Sequence, residues 1–313
     1  MTTRGQVDFW LQSTCIPHKH AVEVFEVTHN NRSYSHMNST SKYALSAFAA
    51  LLSVSAQSQT IIASDNAGNY SAWPQSANNG TGFGSWSFNN TTPNGGFSGQ
   101  FLGSSYTANG GGINSGSGNA FGFYANQGAS AEAQAIAPFS AGALTANQTF
   151  SVQMQDHSIT DNGGQEGFSL RDSSGNNIFQ FYFNGGASDY YVNIWTGIAT
   201  GVQIDTGVGY SSGPLTLSFT QESGDAWSFS ITEGSTAAGT LSSTSTGDLL
   251  WNNTISQADL FSLNGGSART AGDNDNLYFN NLQITAAAVP EPSSIALCGV
   301  SGLATLFAFR RRP

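Results

Sequence analysis

At 313 residues the chain has room for one large all-β domain or two small ones, and only 9% of its residues are charged. Between Asp65 and Glu291 sixteen acidic residues stand against two arginines, Arg171 and Arg269, so the segment 57–291 has a formal charge of −14. It lacks the clustered Lys and Arg that a phosphate backbone requires, which excludes nucleic acid, and the two cysteines, Cys15 and Cys298, leave it no disulfide and no thiol nucleophile.

Residues 1–36 contain four histidines and scattered apolar residues but no targeting pattern. They are expected to be an upstream extension outside the fold, with Met37 as the true start. From Met37 the sequence MNSTSKYALSAFAALLSVSAQSQT passes from Lys42 through the apolar stretch Tyr43–Val54 to small residues. A short positive start, an apolar core and a small-residue cut site resemble a secretory signal peptide. A signal helix over 37–56 is therefore expected, with signal peptidase cutting between Ala56 and Gln57.

The body, 57–288, is dominated by a period of two. Phe150, Val152 and Met154 share one face, as do Phe179, Phe181 and Phe183, and again Tyr190, Val192 and Ile194. Each run predicts a half-buried strand. Leu215, Leu217 and Phe219 are matched to Trp227, Phe229 and Ile231 across a turn at Gln221–Ala226, which predicts a hairpin. Near the end, Asn280-Asn281 shifts the alternation between Leu277/Phe279 and Leu282/Ile284 by one residue, which predicts a bulge. The looser, glycine-rich stretch before Phe150 carries aromatics too often for a segment that buries nothing, so strands and long surface loops are expected there, with short runs at Phe83–Phe88 and Ala120–Tyr124. Together these patterns predict an antiparallel β-sandwich. The order of patterns from Phe121 to Ile284, including GFSLRDSSGNNIFQFYFNGG and NLYFNNLQI, is similar to the concanavalin A-like jelly rolls, and that resemblance implies a jelly-roll-like arrangement.

Chemistry is sparse in this body. Glycoside hydrolysis needs two carboxylates across one bond, and the only acidic pair two residues apart is Asp273 and Asp275, in an Asn-rich turn better suited to capping or to a loop calcium. The loops Asp161–Glu166 and Glu222–Asp225 offer further oxygen ligands without EF-hand spacing. His157, the sole histidine of the body, reads as a strand-end residue, and no nucleophile elbow accompanies it. The expectation is a protein without catalytic residues and without an obligatory cofactor, calcium aside. For sugar binding, Tyr190, Tyr191 and Trp195 beside Asp189 and Asn193 form the best aromatic cluster, although alternate aromatics in a strand more often fill a core.

The tail explains where such a body goes. Ser293–Phe309 is an uncharged run of 17 residues closed by Arg310, Arg311 and Arg312, which predicts a short transmembrane helix with a cytoplasmic stop. In front of it, Pro290 and Pro292 keep Glu291 extended. The sequence Val289-Pro290-Glu291-Pro292, the apolar run and the arginine cluster, together 289–313, resemble the PEP-CTERM sorting signal of Gram-negative bacteria rich in exopolysaccharide. The resemblance implies passage through the inner membrane, processing by an exosortase and release to the outer surface or extracellular matrix. The function expected is that of an exported, non-enzymatic surface or matrix component associated with extracellular polysaccharide; the alternative is a secreted jelly-roll glycoside hydrolase or polysaccharide lyase.

Overall fold

Aromatic and branched residues alternate with small polar ones through most of the body, and a pleated strand turns successive side chains to opposite faces. The computed structural model describes residues 59–287 except 93–95, 106–111, 127–129, 160–162, 253 and 266–275, all within one compact unit, Ala56–Ile295. Its first strands are β1 (Thr60–Asp65), β2 (Ser87–Thr91), β3 (Phe97–Gly103), β4 (Ala120–Asn126) and β5 (Glu132–Pro138). Next come β6 (Gln148–Asp156), β7 (Gln165–Arg171), β8 (Asn177–Asn184), β9 (Asp189–Gly197) and β10 (Thr200–Gly209). The last are β11 (Leu215–Gln221), β12 (Trp227–Glu233), β13 (Thr236–Ser242), β14 (Gln257–Leu263) and β15 (Leu277–Ala286).

These strands form two antiparallel sheets, so the expected all-β sandwich is present. The first sheet has the order β13-β12-β11-β6-β15-β4-β3, with β1 added alongside β15. The second has the order β10-β9-β8-β7-β14-β5-β2. Helix among the described residues is limited to a 3₁₀ turn, Ala67–Asn69, and a capped turn, Ser243–Thr246; none is long and apolar enough to cross a membrane. The upstream extension, the expected signal helix 37–56 and the expected transmembrane helix 293–309 lie outside the described residues.

The core lies between the sheets, where the period of two puts it. Phe150, Val152 and Met154 of β6 and Leu217 and Phe219 of β11 are buried opposite Phe168, Phe179, Phe181, Val192 and Ile194 of the second sheet. Phe179 bridges the layers, its ring centroid 4.7 Å from that of Phe219 and 4.9 Å from that of Phe229. Full burial of such a ring contributes about 1.5–3 kcal/mol. The predicted hairpin is β11–β12, with Phe219 opposite Phe229 and Gln221 opposite Trp227. The predicted bulge is also present: the β15–β6 register slips between Asn280 and Gln283, and Asn281 adopts φ 51°. That slip turns Asn280 inward, where its Oδ1 accepts from Ala67 N and its Nδ2 donates to Ile113 O.

The glycine-rich front is folded as well. Trp73 packs edge-on against Trp86 at 5.2 Å and lies 4.5 Å from Phe121 of β4. The run Ala120–Tyr124 falls in β4, whereas Phe83 makes only an isolated bridge to Phe139 and the strand begins at Ser87. Asp65, at the end of β1, pins this region: its carboxylate accepts from Tyr70 Oη at 2.7 Å, Trp86 Nε1 at 3.0 Å and Asn69 Nδ2 at 3.1 Å. Burial raises the Asp65 carboxyl above its ordinary range despite these donors and, with the Asp65 hydrogen bond, pushes the Tyr70 phenol up to about 12. Gly80 is required here, because a Cβ would stand 2.6 Å from the Asp65 carboxyl carbon.

Candidate functional site: the outer face of the second sheet

Strand alternation separates the aromatic cluster read from the sequence. Tyr190 points into the core with Val192 and Ile194, has no exposed surface, and donates its hydroxyl to Ser211 O at 3.1 Å. A ring held there cannot stack on a sugar, so Tyr190 leaves the candidate set. Tyr191, Asn193 and Trp195 take the opposite, half-buried positions and face outward from the second sheet.

Around them the register assembles a surface that sequence reasoning did not reach. On β10, Gly201 is opposite Trp195, Gln203 opposite Asn193 and Asp205 opposite Tyr191. On β8, Tyr182 is opposite Tyr191 and Gln180 opposite Asn193. Gly201 stands beside the Trp195 ring: a Cβ there would meet Cε2 and Nε1 of the indole in ordinary van der Waals contact, 3.6 and 3.7 Å away. At the tip of the β9–β10 hairpin Ile198 is 66% exposed, leaving an apolar shoulder beside that platform.

The polar side chains between the rings form a ladder. Gln203 Nε2 donates to Tyr182 Oη at 2.5 Å, Tyr182 Oη donates to Asn193 Oδ1 at 3.5 Å, and Asn193 Nδ2 donates to Gln180 Oε1 at 3.1 Å. Each amide is thereby held in one orientation, with its remaining donor or acceptor free to meet an incoming hydroxyl. Burial raises the Tyr182 phenol, so it stays protonated at neutral pH. The rings of Tyr182 and Tyr191 lie 6.0 Å apart at 33°.

One charged pair sits on the same face. Arg171, at the end of β7, places Nη2 2.6 Å from Oδ2 of Asp259 on β14 and donates through Nε to Asn177 Oδ1 at 2.7 Å. Asp259 is fully buried, its Oδ1 has no hydrogen-bond partner among the described residues, and the neighbouring Ser169 hydroxyl is equally without one. Burial pushes the Asp259 carboxyl up to about 7, outweighing the lowering effect of Arg171. Arg171 and Asp259 are 88 positions apart, and only strand order brings them together. The sequence held one hint, namely that Arg171 is one of two cations in the segment 57–291, which holds sixteen acids.

The other candidate residues fall elsewhere. Glu166, read as a loop oxygen ligand, belongs to β7, is fully buried and accepts from Ser262 Oγ at 2.7 Å. Glu222–Asp225 forms the β11–β12 turn, closed by Glu222 N donating to Ala226 O. His157 follows the last residue of β6. Asp273 and Asp275, the cleavage pair Ala56 and Gln57, and Val289–Pro292 with Arg310–Arg312 lie outside the described residues. Among the described residues no three His, Cys, Asp or Glu side chains are grouped to hold a metal.

An all-β sandwich whose second sheet presents an aromatic, amide-rich outer face defines the body. Beyond the body, the C-terminus carries the PEP-CTERM protein-sorting motif, matched over residues 288–312. That motif implies processing by an exosortase, with export and sorting to the cell surface. No curated protein matches the chain in sequence.

Several solved structures are similar at low identity. The CBM2 module of the evolved Dit of Lactobacillus casei BL23 phage J-1 has 13% identity and a TM-score of 0.44, covering 75% of this chain and 98% of that one. A protein of unknown function from Shewanella oneidensis MR-1 has 13% identity and a TM-score of 0.41, covering 83% and 100%. Galectin LEC-6 of Caenorhabditis elegans has 9% identity and a TM-score of 0.31, covering 48% and 88%.

Proposed function

We propose that the chain is a non-enzymatic, glycan-associated component of the cell surface or extracellular matrix, delivered there by its sorting tail. Its binding surface is the outer face of the second sheet. The observation that carries the reading is Trp195 facing outward opposite Gly201, beside an oriented amide ladder. A flat apolar ring meets the C–H face of a pyranose, and fixed amides meet its hydroxyls. With a charge of −14 over 57–291 and, among the described residues, a single arginine on this face, itself paired to Asp259, a neutral glycan suits the surface better than a polyanion. A hydrolase would need two accessible carboxylates facing one bond, and the carboxyl that burial brings near neutrality, Asp259, has no exposed surface.

Mass spectrometry of fractionated cells tests the delivery half of this reading. The expected mature form runs from near Gln57 to near Pro290 and is recovered from the outer surface or the medium. Intact protein in the cytosol, or a form keeping Arg310–Arg312 in the inner membrane, would refute the matrix role.

A further inference from the structure

The β11–β13 end of the first sheet's outer face is built from different residues. Ser218 lies opposite Ser230 and then Thr240, and Thr220 lies opposite Ser228 and then Ser242, across β11, β12 and β13. All six line a groove of about 300 Å³, whose lining contains no charged side chain. Alternation accounts for it: β11 and β12 bury their large residues, Leu217 and Phe219 or Phe229 and Ile231, and turn short hydroxyl side chains outward, while β13 adds Thr240 and Ser242 beside the half-buried Leu241. One end is fixed by the capped turn Ser243–Thr246, in which Ser242 Oγ accepts from Ser245 N and the Ser245 hydroxyl bonds back.

We propose that this groove is a second binding site, for a neutral polysaccharide chain lying across the strands. The occupant follows from the lining. Hydroxyls both donate and accept, so they match a ligand whose own groups do both, as sugar hydroxyls do. The uncharged lining, in a segment 57–291 of charge −14, offers nothing to a polyanion or a basic peptide, and although Phe229 and Leu241 add apolar atoms to it, they are too few for a lipid or an amphipathic helix. Adjacent strands are about 4.8 Å apart, comparable with the length of one sugar unit, so successive units meet successive strands. With a site on each outer face the molecule is bivalent and joins two glycan chains; that consequence, unlike the groove itself, rests on the second-sheet reading above.

The test uses the full chain in a detergent without a sugar headgroup, titrated calorimetrically with cellohexaose, laminarihexaose and mannohexaose. Trp195→Ala is expected to leave a residual binding event, which Ser230→Tyr, by filling the groove, weakens at least tenfold. The paired Ser218→Ala, Ser230→Ala variant, which removes hydroxyls without adding bulk, is expected to do the same. If Trp195→Ala alone abolishes binding of all three sugars, the groove proposal fails and the second-sheet reading stands. Should Trp195→Ala change nothing while the groove variants abolish binding, the second-sheet reading fails and the groove stands. A groove variant that changes particle mass in light scattering without changing sugar binding would make this face a contact between copies and overturn the proposal.

Discussion

The two outer faces of the sandwich share one core and one chain, yet they present different chemistry. The second sheet shows Tyr191, Trp195, Gln203, Asn193 and the Arg171–Asp259 pair, whereas the β11–β13 end of the first shows rows of serine and threonine, with Phe101, Tyr124 and Tyr278 clustered at its other end. The difference lies entirely in the outward half of each alternating pattern, because the inward halves are equally aromatic and aliphatic. Fold and surface specificity are thus encoded at alternate positions of the same strands, and one can change without the other.

The strongest way to break the comparison is to remove what both faces share. Phe179→Ala is expected to cost about 3–5 kcal/mol in urea unfolding and to weaken sugar binding at both faces together, since its ring spans the two layers. Next in size, Trp195→Ala is expected to cost about 2 kcal/mol of glycan affinity, roughly thirtyfold in Kd, at the second sheet alone; an unchanged isotherm would remove the platform from the account.

The charged pair sharpens the contrast through pH. A folded Asp259 titrating at about 7 holds its proton to higher pH than an unfolded one, so the folded state binds more protons between about 4 and 7. Stability is therefore expected to be greatest below that window and to fall as pH rises through it. Urea midpoints at pH 4 and pH 8 should show this fall in the native chain and a smaller fall in Asp259→Asn; Asp65 shifts in the same direction and contributes to what is left, while Asp172, held down by its hydrogen bonds, acts the opposite way. Equal slopes in the two proteins would contradict the assignment. The smallest effect belongs to the hydroxyl face, where Ser218→Ala with Ser230→Ala should leave stability within about 0.5 kcal/mol.

Much of the fold was legible because strand burial is a local, period-two signal. The runs at Phe150, Phe179 and Leu215, and even the Asn280-Asn281 bulge, stand where the alternation puts them. The front of the body was less legible: Trp73 and Trp86 are buried against Phe121, a contact set by tertiary packing that no local period shows. The site was half legible. The alternation that groups Tyr190 with Val192 and Ile194 already separates it from Tyr191 and Trp195, so that correction was available in the sequence. The Arg171–Asp259 pair, the pairing of Trp195 with Gly201 and the rows of hydroxyls depend on which strands become neighbours, and strand order leaves no mark within a strand.

The central claim is that the outer face of the second sheet binds glycan. It is tested most directly by measuring binding of the native chain and of Trp195→Ala to the exopolysaccharide of the cells that make the protein. The account predicts saturable binding by the native chain and roughly thirtyfold weaker binding at that face by the variant. Equal affinity in the two proteins, or no binding by the native chain, would contradict it.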